Sequence, residues 1–193
     1  MKHIFLNLKR FDISPARGGV NCLAPMKDWG AAIVRGTQDA LKAYDPAEVE
    51  FVMYMPEAHL LSAAAALTVL YCIGEKSEEQ AAWQDVLGAQ LSIGLQGVDM
   101  SRVVIAYEPI WSIGPGKTPA DKPCIQKIAR FVKERTGGLP VVFGSGLKKD
   151  NAQMLTSIDE IDGGLIALTR FSGEIGFYQE EYLEIIRTYI GTL

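Results

Sequence analysis

A run of β-branched and aromatic residues, Val103-Val104-Ile105-Ala106-Tyr107, ends on a carboxylate, Glu108, and continues as Pro109-Ile110-Trp111-Ser112-Ile113-Gly114-Pro115-Gly116-Lys117. Pro109 fixes its own φ and restricts Glu108 to extended backbone, while Gly114 and Gly116 place flexible points on either side of the stiff Pro115. Ile110, Trp111 and Ile113 put apolar surface in a connection that would ordinarily be polar. That cost is recovered if the segment is a lid that buries them on closing; the alternative is a loop packed in place permanently. A lid that excludes water from a carboxylate makes it a stronger base, suited to taking a proton from carbon. Other apolar runs also end in polar residues or glycine: Asn7 and Lys9 after the first, Glu75 after the third, Gly144-Ser145-Gly146 after the fifth. Singly, each reads as a boundary charge or a turn.

Together they gain meaning from the elements that must position them. Strands are expected at His3–Leu8, Glu50–Met55, Val69–Ile73, Val103–Tyr107, Pro140–Phe143 and Gly164–Leu168, apolar on both alternating sets, as a sheet covered on both faces requires. Helices are expected near Met26–Tyr44, Glu57–Ala66, Ser77–Leu95, Lys122–Thr136, Asn151–Leu155 and Glu180–Tyr189. Alternation of this kind argues for an α/β fold with parallel strands. In a closed parallel barrel the carboxyl ends of all strands share one face, where Asn7, Lys9, Glu75, Glu108 and Ser145-Gly146 would converge.

The 193 residues read as one domain over residues 1–193, without a linker or short-period repeat. A formal net charge of −4 and the lack of a basic run argue against nucleic-acid binding. Cys22, Cys72 and Cys124 are odd in number and widely spaced, which suggests neither disulfides nor a zinc site but reduced, mostly buried thiols in a cytoplasmic protein. Asn7 and Lys9 interrupt the first apolar run too early for a signal-peptide core, and the longest apolar stretch, Leu60 to Gly74, is too short for a membrane-spanning helix. No membrane association is expected.

Ala106 to Lys117 resembles the base-and-lid segment of the triosephosphate isomerase family, A-Y-E-P-x-W-x-I-G-x-G-K, at every defined position. Asn7-x-Lys9 is similar to the family's N-x-K at its first strand, Cys72-Ile73-Gly74-Glu75 to its C-x-G-E after the fifth, and Phe143-Gly144-Ser145-Gly146-Leu147-Lys148 to its seventh-strand phosphate loop. Ile161-Asp162-Gly163-Gly164-Leu165-Ile166 resembles its I-D-G-x-L-V. The resemblance implies a TIM-barrel-like fold that interconverts dihydroxyacetone phosphate and glyceraldehyde 3-phosphate without cofactor or metal. By it, Glu108 is the base, Lys9 the cation near substrate oxygen and phosphate, and Asn7 a substrate-positioning group. Backbone N–H groups near Gly114, at Ser145 and Gly146, and at Ala167 and Leu168 face the phosphate.

A family chain of about 250 residues has eight units, so this one is short by two. Pro56-Glu57-Ala58-His59-Leu60-Leu61 resembles the end of the second strand and its helix, and the chain then runs into a segment resembling the fifth, so the third and fourth units are expected to be absent. With them goes the family's electrophilic histidine: His3 falls at the wrong end of the first strand and His59 in the turn after the second. Phe143 replaces a lid-holding tyrosine, and Ala167-Leu168 replace a Gly-Gly phosphate contact. The expectation is about six βα units in a closed or incompletely closed barrel, with Phe5, Phe51, Met53 and Tyr71 facing its narrowed interior. Isomerase activity is expected to be weak or lost; the other readings are a non-catalytic phosphometabolite-binding or assembly protein, or isomerisation of another sugar phosphate. The family's third loop, which makes its dimer, is missing too, so a homo-oligomer is expected to form through the region of Glu57–Glu75.

Overall fold

The computed structural model describes residues 1–7, 37, 39–54, 69–96, 98, 100–113, 117–170 and 176–191. Lys9, His59, Gly114, the helix expected at Glu57–Ala66 and most of that at Met26–Tyr44 lie outside them. Six strands form one sheet: β1 (Lys2–Asn7), β2 (Val49–Tyr54), β3 (Val69–Ile73), β4 (Val103–Tyr107), β5 (Val141–Phe143) and β6 (Gly163–Ile166). All pairings are parallel, in the order β2-β1-β6-β5-β4-β3. Among the described residues no ladder joins β2 to β3, so the barrel is not closed by hydrogen bonds. The fold is α/β, a shortened TIM-barrel-like arrangement of the incompletely closed kind.

The alternation of side chains along each strand makes two apolar layers. Phe5, Val104, Ala106, Val142 and Leu165 pack on the inner face, with Val52, Leu70 and Ala167 partly buried beside them. Ile4, Leu6, Ile105, Tyr107, Val141, Phe143 and Ile166 face the helices α1 (Trp83–Gly94), α2 (Lys122–Thr136), α3 (Ala152–Thr156) and α4 (Gln179–Ile190). Phe51 and Tyr71 correct the expectation that they fill the interior. Each is one residue out of phase with the inner set, Phe51 beside Val52 and Tyr71 beside Leu70, so both pack in the helix layer. Phe5 does lie inside, fully buried.

Local chemistry explains the helix limits. The Asp121 carboxylate accepts from the Cys124 N–H at 2.9 Å, Pro123 lies in the first turn, and Gly137, at φ 70°, closes α2 in the left-handed conformation. The single helix expected over Ser77–Leu95 is split: Ser77–Ala82 is a 3₁₀ segment, in which Glu79 N–H donates to the Lys76 carbonyl and the Glu79 carboxylate accepts from Lys76 N–H, and α1 follows.

Truncation should separate the core from the surface. Ile128 is 1% exposed in α2 and Ile93 is 76% exposed in α1. Ile128→Ala is expected to cost about 2–5 kcal/mol and Ile93→Ala within about 0.5 kcal/mol, read as shifts of the urea midpoint; comparable shifts would contradict the layer assignment.

Candidate functional site

Strand β4 decides where the carboxylate goes. Val104 and Ala106 face inward, so the two-residue period sends Tyr107 to the helix layer and brings Glu108 back to the inner side at the carboxyl end of the sheet. Pairing continues past the strand on both sides: Glu108 N–H donates to the Ile73 carbonyl and Gly144 N–H to the Tyr107 carbonyl, each at 2.8 Å. Half-buried, Glu108 accepts through Oε1 from the Cys72 thiol at 3.5 Å; the expectation of mostly buried thiols is corrected, since Cys72 is exposed, two residues after the inward Leu70 near the carboxyl end of β3, and Cys124 is half-buried. The Glu108 slot exists because both neighbouring strand ends carry glycine. A Cβ on Gly144 would lie 2.4 Å from Glu108 Cγ, and one on Gly74 would lie 1.9 Å from the Glu108 carbonyl oxygen. No larger residue fits either position without moving the glutamate.

The apolar segment after Glu108 begins as a short 3₁₀ turn, Ile110–Ser112, in which Ser112 N–H donates to the Pro109 carbonyl at 3.0 Å. Glu75 anchors this turn twice. Its carbonyl accepts from Ile110 N–H at 3.0 Å, and its carboxylate oxygen Oε1 accepts from Trp111 Nε1 at 2.7 Å and from the Tyr107 hydroxyl at 3.0 Å. Glu75 is 2% exposed, and its other oxygen has no partner among the described residues. Trp111 is therefore pinned, whereas Ile110 and Ile113 are exposed. In the sequence Glu75 read as a polar strand end and as the last residue of the C-x-G-E resemblance, with no partner assigned; its value as an acceptor emerges once the helix layer buries it beside Tyr107.

Across the sheet from Cys72, on the other side of β4, the loop after β5 is tied down by Asn151, whose Nδ2 donates to the Gly146 carbonyl at 2.9 Å and whose Oδ1 accepts from Lys148 N–H at 2.8 Å. Gly146 has φ 115°, a conformation that favours glycine. The Ser145 hydroxyl oxygen is buried and has no partner among the described residues. Leu147 N–H donates to the Leu165 carbonyl at 2.8 Å, joining this loop to β6, after which come half-buried Ala167 and buried Leu168. Asn7 ends β1, in register with Tyr54. Glu108, Ser145, Gly146, Ala167, Leu168 and Asn7 thus all fall at the carboxyl end of the sheet. His3 lies at the opposite end, 7% exposed, with Nδ1 2.7 Å from Glu50 Oε2. No group of three or more His, Cys, Asp or Glu suited to a metal ion occurs among the described residues. A groove of about 430 Å³ lined by Trp83 and Phe131 lies between α1 and α2 in the helix layer, apart from these groups.

A family model described as Triosephosphate isomerase matches residues 56–187. The chain belongs to the triosephosphate isomerase family. It is 40% identical over 118 residues to the triosephosphate isomerase of Nitratidesulfovibrio vulgaris (strain DP4), covering 54% of this chain and 47% of that protein. Over 147 residues it is 34% identical to that of Chlorobium phaeobacteroides, covering 70% of this chain and 57% of the relative. The chain spans about half the length of the curated relatives it matches. The matched residues 56–187 include β3 to β6, with the glutamate slot and the loops after β4 and β5. No helix among the described residues is long and apolar enough to cross a membrane.

The buried network beside the slot has a pH signature. Desolvation, with the neighbouring Cys124 and Glu75 adding to it, pushes the Tyr107 phenol far above its usual range, and burial raises Tyr182 and Tyr189 as well. Folding therefore favours the neutral phenols. Their contribution is fully present below the unfolded value of about 10 and is lost as pH rises beyond it. Of the seven tyrosines, these three are expected to ionise only as helical circular dichroism disappears. Phenolate absorbance from more than four before unfolding would refute this.

Proposed function

We propose that this chain binds a phosphorylated triose at the carboxyl end of its sheet and that Glu108 moves a proton between adjacent carbons, as in dihydroxyacetone phosphate and glyceraldehyde 3-phosphate interconversion. The observation that carries the reading is the slot that Gly74 and Gly144 leave for Glu108, on the inner face and beside the anchored start of the apolar segment. A carboxylate so placed can take a proton from a carbon next to a carbonyl. Lys9 and Asn7 are assigned to the substrate's oxygens. Ser145 and Gly146, with the backbone at Gly114, Ala167 and Leu168, are assigned to phosphate, and the unpartnered Ser145 hydroxyl supports that assignment. The residues after Trp111 are the lid; neither metal nor cofactor enters the chemistry.

An enediolate also needs a donor for the oxyanion that develops as the proton leaves. His3, fixed to Glu50 at the amino end, does not supply one among the described residues, and the units that carry the family's histidine are expected to be missing, so turnover is expected to fall below a full-length family enzyme by about 10²- to 10⁴-fold. This gap, with β2 and β3 lacking an outer strand neighbour among the described residues, favours one second reading, a non-catalytic phosphometabolite-binding or assembly protein. A coupled isomerase assay beside a 2-phosphoglycolate titration distinguishes them: weak turnover abolished by Glu108→Gln supports the first, and saturable binding without turnover the second. Turnover at the full-length level would refute the impairment. In the same titration, Trp111 fluorescence, isolated by subtracting Trp111→Phe, should change if the lid closes; no change at saturation would favour a permanently packed segment.

The protein is placed in the cytoplasm, as a homo-oligomer joined on the side of the missing units near Glu57–Glu75, because unpaired strand edges invite pairing with another copy. Light scattering across a dilution series is expected to show a dimer; a well-folded monomer at all concentrations would contradict this.

A further inference from the structure

The described residues between β6 and α4 are braced in a way that the phosphate assignment alone does not require. Thr169 and Arg170 N–H groups both donate to the Gly176 carbonyl at 3.1 Å, Gly176 N–H donates back to the Arg170 carbonyl at 3.2 Å, and Tyr178 N–H donates to Thr169 Oγ1 at 2.8 Å. The Arg170 guanidinium lies 3.8 Å over the Tyr178 ring. Its Nε, at 2.9 Å, and its Nη2 both donate to Glu181 Oε1 in the first turn of α4. Only a planar fork can stack and pair in this manner at once; an ammonium cannot.

Ala167-Leu168 immediately precede the braced residues. These two residues lie between β6 and the brace, beside the Ser145-Gly146 loop, which Leu147 N–H ties to the Leu165 carbonyl. No described residue other than glycine has a positive φ, so Ala167 and Leu168 lack the conformational freedom with which glycine fits its N–H groups to an anion. Their alignment has to be imposed from outside, and the adjoining fixed group is Arg170. Resting on the phosphate-binding reading above, we propose that Arg170 is a positioning residue that, through the Thr169–Gly176 pairing and its grip on Tyr178 and Glu181, sets the Ala167 and Leu168 backbone for the phosphate of the ligand.

Titration of the full-length chain with 2-phosphoglycolate, well below each variant's unfolding midpoint, tests this. Arg170→Ala is expected to raise the Kd, and the KM where turnover is measurable, by about tenfold or more, with a smaller effect on kcat. Arg170→Lys, which keeps the charge and loses the fork, should bind as poorly as Arg170→Ala. Glu181→Gln, which weakens the grip and retains the stack, should fall between them and the unaltered chain, and it serves if Arg170→Ala fails to fold. Lys149→Ala, which removes a surface pair with Glu184 on the same helix, should bind normally. An Arg170→Ala Kd within about twofold of the unaltered chain, full rescue by lysine, or no binding of 2-phosphoglycolate by the unaltered chain would overturn the proposal. Loss of binding in Arg170→Ala when the unaltered chain binds without turnover would sink only the isomerase reading.

Discussion

The parallel ladder that holds β4 between β3 and β5 is the constraint on which the rest of the site depends. It runs one residue past the strand, through Glu108 N–H to Ile73 on one side and Gly144 N–H to Tyr107 on the other. That register puts a phenol in the helix layer and the next residue, a carboxylate, on the inner face. A slip by one residue would exchange them, burying the charge among α1 and α2 and presenting the phenol to ligand. The adjoining strands then have to keep clear, and the glycines at 74 and 144 are the local consequence.

Tyr107 also couples the two layers. Its hydroxyl shares one oxygen of Glu75 with Trp111, so the helix layer and the first turn after Glu108 meet on a single buried carboxylate. Leaving a polar atom buried and unpaired costs on the order of 1–3 kcal/mol, and the second oxygen of Glu75 is in that condition among the described residues. An apolar pair at these positions would avoid the cost but could not fix the indole edge. The network thus trades stability for a defined starting point of the segment that follows the base.

All six strands were legible in the sequence to within about two residues, because a sheet covered on both faces writes continuous apolar runs. Glu108 was legible for a different reason, since an apolar connection after a charged strand end conflicts with ordinary loop composition. The side-chain phase of Phe51 and Tyr71 was not legible: with both faces of β2 and β3 apolar, size gives no indication of which face is the interior. Nor was the break at Trp83, where i to i+3 bonding around Lys76 and Glu79 competes with a helix that propensity alone would extend. The anchoring role of Glu75 depends on contacts with residues 32 and 36 positions away, which no local pattern encodes.

Half of the slot is contributed by β3, which has no strand neighbour on its far side among the described residues. An edge strand would be expected to fray where Gly74 has to stay fixed. Helix α1 supplies what the sheet does not. The Gln90 side-chain amide accepts from Gly74 N–H at 3.0 Å and donates to the Gly74 carbonyl at 2.9 Å, so one side-chain amide occupies the place of a peptide group on a paired strand. The Tyr71 hydroxyl donates to the Gln90 main-chain carbonyl at 2.8 Å, holding the helix against the same strand. This also accounts for Tyr71 lying on the helix side rather than in the interior. Because Gly74 is held from α1, the geometry around Glu108 does not require the strand end to be paired on its outer edge, and an incompletely closed barrel can retain the base in the slot between the ends of β3 and β5.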